Sequence, residues 1–389
     1  MSTQLGVLAM YMPGKKLEEL SFYRKLSVCG QKLGVDVFVF TPDDVDDNRS
    51  RIYALAYNQA TRSWTRRWVG FPPIVYDRCR YHGADNYRKI TRFRQKYTKL
   101  RYLSRPLANK WTIHRLLSEN ENITPYLPST IHYKNRKQLE QFLKKHPIVY
   151  MKPKSGTGGR GIVRLQQLRG GRSYLMQGRD AERRILPANK VTAAQIPARL
   201  AGWGLQSKYI VQQGIPLELK DGRVHDFRML VQKDGQGKWQ VTGCAGRIGP
   251  PFSVTSNLHG GGTAISMESL LKSRFGTEEK VKSIQETAYT LGLHIAQHLE
   301  AKFGTFCEAG IDLAVDPSGH VWLLEVNPKP SRDVFRRTGD LQTYRSAIRR
   351  PIEFALYLLQ KRAATKANTK PFELVPQSQQ SESNQDQSV

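Results

Sequence analysis

The residues that could do chemistry fall into three groups along the chain. In the first, Met151-Lys152-Pro153 ends a strand-like run and leads into Gly156, Thr157, Gly158, Gly159 and Gly161. Glycines let backbone N–H groups approach an oxyanion with no Cβ in the way, and a lysine at the strand end adds a point charge. The chemistry implied is phosphate binding. The loop lacks the Gly-Lys-Ser/Thr of a Walker loop, and no helix follows at once as in a dinucleotide fingerprint, so a plain glycine-rich hairpin has the same composition. In the second group, Asp312 ends one strand, and Glu325 and Asn327 stand two apart on its hairpin partner, which puts both on one face. Two carboxylates and an amide oxygen are hard donors that suit magnesium sharing its shell with water and phosphates. Polar residues on a solvated hairpin face would read the same way. The third group is Asp226 and Arg228 on one strand, Arg247 across a hairpin, then Asn257 and Gly260 to Gly262. Guanidinium groups grip transferring phosphoryl groups and acyl phosphates, whereas a surface Asp–Arg pair alone contributes little.

The elements that must position these groups can be read from periodicity. The first hundred residues alternate as an α/β unit does: LGVLAMYM, a helical pattern through Leu20 and Leu26, VDVFVF, two strands around a turn in RIYALAYNQATRSWTRRWVGF, the strand PPIVYDR, and a basic helix over about 84–100. A parallel sheet is expected there. Pro106 closes this unit. A short helix carrying Lys110 follows, then a helix over about 135–145 and the strands IVYMKP and KYIVQQGI. Two hairpins have unmistakable turns, Asp-Gly-Gln-Gly at 234–237 and Asp-Pro-Ser-Gly at 316–319, and helices are expected over about 278–302 and 340–360. The expected fold is an α/β N-terminal domain with a parallel sheet (1–105), followed by α+β lobes over 106–205, which carries the glycine loop, and 206–362, which carries the metal ligands. A disordered polar tail is expected over 363–389. No internal repeat is visible.

The chain has 389 residues, 61 Lys and Arg against 33 Asp and Glu, and a formal charge of +28. Such a field attracts polyanions of any kind. The densest basic run, YRKITRFRQKYTKLRYLSR from Tyr87, is interleaved with aromatics; it reads as a solvated helix face with snorkelling side chains or as a polyanion contact. Four scattered cysteines without C-x-x-C spacing point to a reducing, cytoplasmic setting. No apolar run approaches the roughly 18 residues of a membrane span, and no membrane partner is expected. Nucleic-acid binding would rest on charge alone.

In order, the motifs are lysine, lysine, glycine loop, Asp-x-Arg, a second arginine, N-x-x-x-G-G and E-x-N. Over roughly 105–362 this order resembles the ATP-grasp superfamily, in particular its glutathione-synthetase-like branch. The segments WTRRWVGFPPIVYDR, NKW, YLPST, KPKSGTGGRGI, YIVQQGI, HDFRMLVQ and EVNPKP are similar to the YheC/YheD-type endospore coat-associated proteins.

The resemblance implies that Lys110 and Lys152 hold ATP phosphates while the loop from Gly156 to Gly161 closes over them. Gln212, Gln213, Gly214 and Ile215 would meet adenine. Many relatives end that strand with an acidic residue that grips the ribose; here glutamines stand in the region, with Glu218 beyond them. Arg228 and Arg247 would steady the γ-phosphate and an acyl phosphate, and Asp312, Glu325 and Asn327 would hold one or two Mg²⁺, with Mn²⁺ as an alternative. The implied activity is ATP-dependent ligation of a carboxylate to an amine or related nucleophile, both unidentified; the basic surface would suit an acidic peptide or polymer. The competing reading is an ATP-binding component of the spore coat, partnered with coat proteins, that lacks turnover. Lys329 and Arg332 are candidate carboxylate contacts, and His225 and His259 have no assigned part.

Overall fold

The computed structural model describes residues 3–368, apart from 13, 15, 81–82, 105, 157–158, 257 and 259–260. Thr157, Gly158, Asn257, His259, Gly260 and the tail from 369 onward therefore lie outside the described residues.

Three sheets follow one another along the chain. In the first, Thr3–Leu8 pairs in parallel with both Val35–Phe40 and Ile74–Asp77, and Ile74–Asp77 pairs in parallel with the short Arg101–Tyr102. The parallel expectation holds for these strands. The hairpin Arg51–Asn58 and Ser63–Val69 extends the sheet antiparallel from Val35–Phe40, which makes it mixed. Burial explains the difference: Val35–Phe40 is almost wholly buried, as a strand covered on both faces must be, whereas Ser63–Val69 is exposed along most of its length. The helices Leu20–Lys32 and Gly83–Lys96 accompany this sheet.

The second sheet is antiparallel throughout. Its order is Thr130–His132, Tyr209–Gln213, Ile148–Pro153, Ile162–Gln167, Tyr174–Arg179, Ile185–Val191. Alternation sends Val149, Met151, Val163, Leu165, Met176 and Val211 into a core with Leu139 and Leu143 of the helix Arg136–Lys145. The opposite face carries Tyr150, Lys152, Arg164 and Arg179. The last hairpin was not expected from sequence, because Gly178, Pro187 and Asn189 interrupt any clean alternation.

The third sheet runs Thr263–Ser266, Trp239–Ile248, His225–Lys233, Glu308–Val315, Val321–Asn327. Phe227, Met229, Val231, Ile311 and Leu313 point one way and pack under the helix Glu278–Phe303 through Ile284, Ala288, Leu291 and Ile295. Asp226, Arg228, Leu230 and Gln232 point the other way. On that face Leu230 is covered by Phe335 and Ala347, while the end bearing Asp226 and Arg228 faces the second sheet. The helix Leu341–Asn368 runs beyond the expected end near 360, and its Ile348, Ile352, Phe354 and Leu358 pack against Leu5, Val7, Leu26 and Val37 of the first sheet and its helix.

Candidate active site

Asp312 and Glu325 are direct cross-strand partners, and Asn327 lies opposite Gly310 two residues along. The ladder is irregular beside Asp312, where Leu324 has no partner. This bulge lets Leu323 stay in the core with Leu313 while Glu325 and Asn327 both take the cleft face. The Asn327 amide donates to Asp312 Oδ2 at 3.4 Å.

Arg228 chelates Asp312 through Nε and through Nη2, the latter at 2.9 Å from Oδ2. Arg247 makes a two-pronged pair with Asp226, at 2.7 and 2.6 Å, and its Nη2 lies 3.2 Å from Asp312 Oδ2. Burial alone would push the Asp312 carboxyl up, but the two guanidinium groups more than offset it and hold it below the usual carboxylate range. Burial likewise acts against the charge of Arg247, and the carboxylates of Asp226 and Asp312 reverse the effect.

Lys152 comes from the second sheet, whereas Lys110 comes from a helix whose Ile113 and Leu117 pack into the core of the third. Lys110 opens the helix Lys110–Leu117, capped by the Asn109 side chain accepting from Thr112 N–H. Its ammonium donates to the Gly156 carbonyl at 2.6 Å and stands 3.2 Å from Glu325 Oε1, so it bridges the glycine loop to the acidic strand. Lys152 donates to Gln212 Oε1 at 2.7 Å, and Gln212 in turn donates to Thr130 Oγ1. Burial first, with Lys110 adding repulsion against the opposing pull of Glu325 and Asp312, pushes the Lys152 ammonium down to about 8.

A cleft of about 260 Å³ is lined by Lys110, Lys152, Gly156, Gln212, Glu325 and Asn327, with Ile113, Leu127 and Ile210 supplying apolar wall. Arg228, Arg247 and Asp312 join it through the Asp312–Asn327 contact. Gly161 adopts φ +63°, and a Cβ there would sit 2.7 Å from the Tyr209 hydroxyl, which itself donates to the Gly161 carbonyl. The N–H groups of Gln213 and Gly214 are bonded to the carbonyls of Ser129 and Ile148, each at 2.8 Å, so neither donor is free for a purine edge, and Ile215 is buried.

The residues present fit a divalent ion. Two carboxylates and an amide oxygen share one patch, and cations now neutralise those carboxylates. Among the described residues no three acid, histidine or cysteine side chains cluster for a metal, so an ion here would depend on the Asn327 oxygen and on phosphates bound beside it.

Other expected contacts are placed differently. Glu218 pairs with Arg164 of the second sheet. Arg332 is buried and held by Glu308 and the Tyr76 hydroxyl, and Lys329 donates to Asp77 at 2.7 Å and to the Cys79 carbonyl. Both charges are spent in the junction with the first sheet, which corrects their reading as substrate contacts. The partners lie 250 or more residues away for Lys329, beyond any local signal. His225 is buried, its Nδ1 lies 2.6 Å from the Leu217 carbonyl, and desolvation pushes it down to about 4, so it is neutral. On the basic helix, Lys89, Arg94 and Lys96 pair with Asp43, Asp77 and Asp47, so part of its charge is neutralised by acids of the first sheet and its connections. Among the described residues no helix is long and apolar enough to cross a membrane.

Residues 99–358 match the model of a family described as YheC/D-like ATP-grasp. The endospore coat-associated protein YheC of Bacillus subtilis is 26% identical over 85% of this chain and 91% of its own. YheD of the same organism is 27% identical over 87% of this chain and 74% of its own. Among solved structures, the D-alanine-D-alanine ligase of Coxiella burnetii superposes with a TM-score of 0.50 at 12% identity, covering 94% of this chain and 99% of the other, a likeness of fold.

Proposed function

The chain belongs to the YheC/D-like ATP-grasp family, and from that premise we propose that it is an ATP- and Mg²⁺-dependent ligase that activates a carboxylate as an acyl phosphate and passes it to an amine or related nucleophile. The observation that carries this reading is the meeting, across one cleft, of Lys110 and Lys152 with Glu325 and Asn327. A cation from the second sheet and another at its junction with the third, set against hard oxygen donors of the third, are what a metal-bound triphosphate needs around it.

Lys110 and Lys152 bind the phosphates and lower the repulsion that an incoming carboxylate meets. Arg228 and Arg247, held in place by Asp312 and Asp226, present fixed donors to charge developing on the transferred phosphoryl group. When bound, magnesium would be held by Asp312, Glu325 and Asn327 and would neutralise phosphate charge and orient the chain of phosphates. The carboxylate oxygen attacks the γ-phosphorus, ADP leaves, and the nucleophile then attacks the acyl carbon and releases phosphate. The apolar wall of Ile113, Leu127 and Ile210 helps exclude water that would hydrolyse the intermediate. The names of YheC and YheD extend the proposal to association with the endospore coat.

The test is calorimetric titration of Mg·ATP into wild type and Glu325→Gln/Asn327→Ala, with ADP release then followed in the presence of pooled amino acids and acidic peptides. Magnesium-dependent binding weakened by about tenfold or more in the variant, together with substrate-stimulated ADP release, is expected. Binding without stimulated release would favour a nucleotide-binding coat component, and absence of nucleotide binding would overturn the reading.

A further inference from the structure

Beyond the lysines and arginines around the cleft, a second group of guanidinium groups stands at the root of the glycine loop. Arg160 precedes Gly161, whose N–H donates to the Asp180 carbonyl at 2.9 Å; Arg179 precedes Asp180, opposite Ile162; and Arg183 closes the turn by donating its N–H to that same carbonyl at 3.1 Å. The turn's own acids do not neutralise them, because Asp180 and Glu182 both pair with Arg184, at 2.7 and 3.3 Å. No carboxylate of the described residues pairs with Arg160, Arg179 or Arg183. Partial burial first, and the charges of Arg160 and Arg179 next, pull the Arg183 guanidinium down.

Arg179 is 5% exposed, and its Nε is buried with no hydrogen-bond partner. A buried, unpartnered donor on a charged group is costly. Its Nη2 meets only a neutral hydroxyl, Ser253 Oγ at 3.1 Å, supplied by the loop that follows Trp239–Ile248 in the third sheet. Arg179 lies on the same face of the second sheet as Lys152, two strands away.

We propose that Arg160, Arg179 and Arg183 form an anion subsite that holds a second acidic group of the co-substrate, which is therefore a carboxylate-rich peptide chain. The proposal rests on the ligase reading above. Charge and distance both point to a second group. The phosphates already have Lys110, Lys152, Arg228 and Arg247, so three further uncompensated cations exceed what the nucleotide needs. Two inter-strand spacings put the subsite about 10 Å from the Lys152 strand. That is about three extended residues at roughly 3.4 Å each, farther than the two carboxylates of one amino acid reach. A carboxylate arriving at Arg179 would take the place of the Ser253 hydroxyl and satisfy Nε.

The experiment measures binding of an oligoglutamate peptide, with oligoglutamine as the neutral comparison, to the full chain with and without Mg·ADP. The variants are Arg160→Gln/Arg179→Gln/Arg183→Gln and the exposed pair Arg160→Gln/Arg183→Gln, which leaves the buried arginine in place should the triple variant fail to fold. Arg92→Gln/Lys99→Gln, on the helix Gly83–Lys96 and the turn after it, is the control. The expected result is an oligoglutamate affinity about tenfold or more lower in the triple variant, a smaller loss in the pair, and none in the control. Equal losses in the control and the pair would mean non-specific attraction to a basic surface and overturn the proposal. Loss of Mg·ATP affinity with oligoglutamate unaffected would assign the arginines to the nucleotide and also overturn it. Because peptide binding is read without nucleotide too, failure of ATP binding sinks the ligase reading separately.

Discussion

At the scale of single residues, the site is distinguished by which charges are spent and which are held back. Asp312 is shared between two guanidinium groups, whereas the Lys152 ammonium has, among the described residues, only an amide oxygen as its hydrogen-bond partner and is held down to about 8. Phosphates bound beside it would favour its charged form. Nucleotide affinity should then be independent of pH below about 8 and fall by up to about tenfold per pH unit above it, where the free protein must first take up a proton. Lys152→Arg replaces the group by one that stays charged, and its calorimetric pH profile should be flat over the same range. An identical decline in both proteins would place the titrating group elsewhere. His225 is shifted in the same direction but acts at the other end of the pH range: its folded pKa of about 4 lies below its ordinary value, so the stability that its neutral form confers should be lost as pH falls from about 6.5 toward 4. In urea unfolding followed across that window, wild type should lose more stability than His225→Gln.

The elements that hold these residues are hairpins, and their roots set the geometry. Gly161 combines a left-handed backbone with a Cβ position 2.7 Å from the Tyr209 hydroxyl, whereas Gly170 has φ +92° with open space around it. Alanine at either position carries the backbone penalty, about 1 kcal/mol, and only Gly161→Ala also displaces Tyr209 and the root of the glycine loop. Thermal unfolding should show the larger loss for Gly161→Ala, and nucleotide affinity should fall in that variant alone. Equal losses would mean that the Tyr209 contact yields without cost. On the acidic side, the unpartnered Leu324 is the feature that allows a core strand to end in two cleft-facing donors.

For the whole molecule, the question is what locks the first sheet to the two that carry the site. Glu308 is fully buried and accepts from Tyr76 at 2.5 Å, Arg78 at 2.9 Å and Gln232 at 2.9 Å, and also from Arg332. Arg78 continues the network to Glu19 and to the Pro330 carbonyl. Breaking such a buried pair by removing one partner typically costs about 3–5 kcal/mol, because the remaining charges are stranded. Glu308→Ala should therefore lower the urea midpoint by that order, and Glu308→Gln, which keeps the shape and some hydrogen bonds, by less. A loss under about 1 kcal/mol in Glu308→Ala would show that the helix Leu341–Asn368 carries the junction alone.

The sequence by itself determined most of the element types, two of the hairpin turns, and the order of lysines, glycines, arginines and acids that identifies the family. Those features depend on local periodicity, turn chemistry and spacing, which act over a few residues. It also put Glu325 and Asn327 on one face, since that needs only the period of a strand. The tertiary structure decided which charges are available. Arg332 and Lys329 follow the E-x-N motif closely and look free in the chain, yet folding commits them to Glu308 and Asp77. Arg179 carries no motif at all, and only the crossing of the Ser253 loop onto its strand marks it out. The physical reason is that charge compensation is a long-range property: a partner may lie hundreds of residues away, and nothing in local sequence records whether an arginine will meet a carboxylate or be left to bind one.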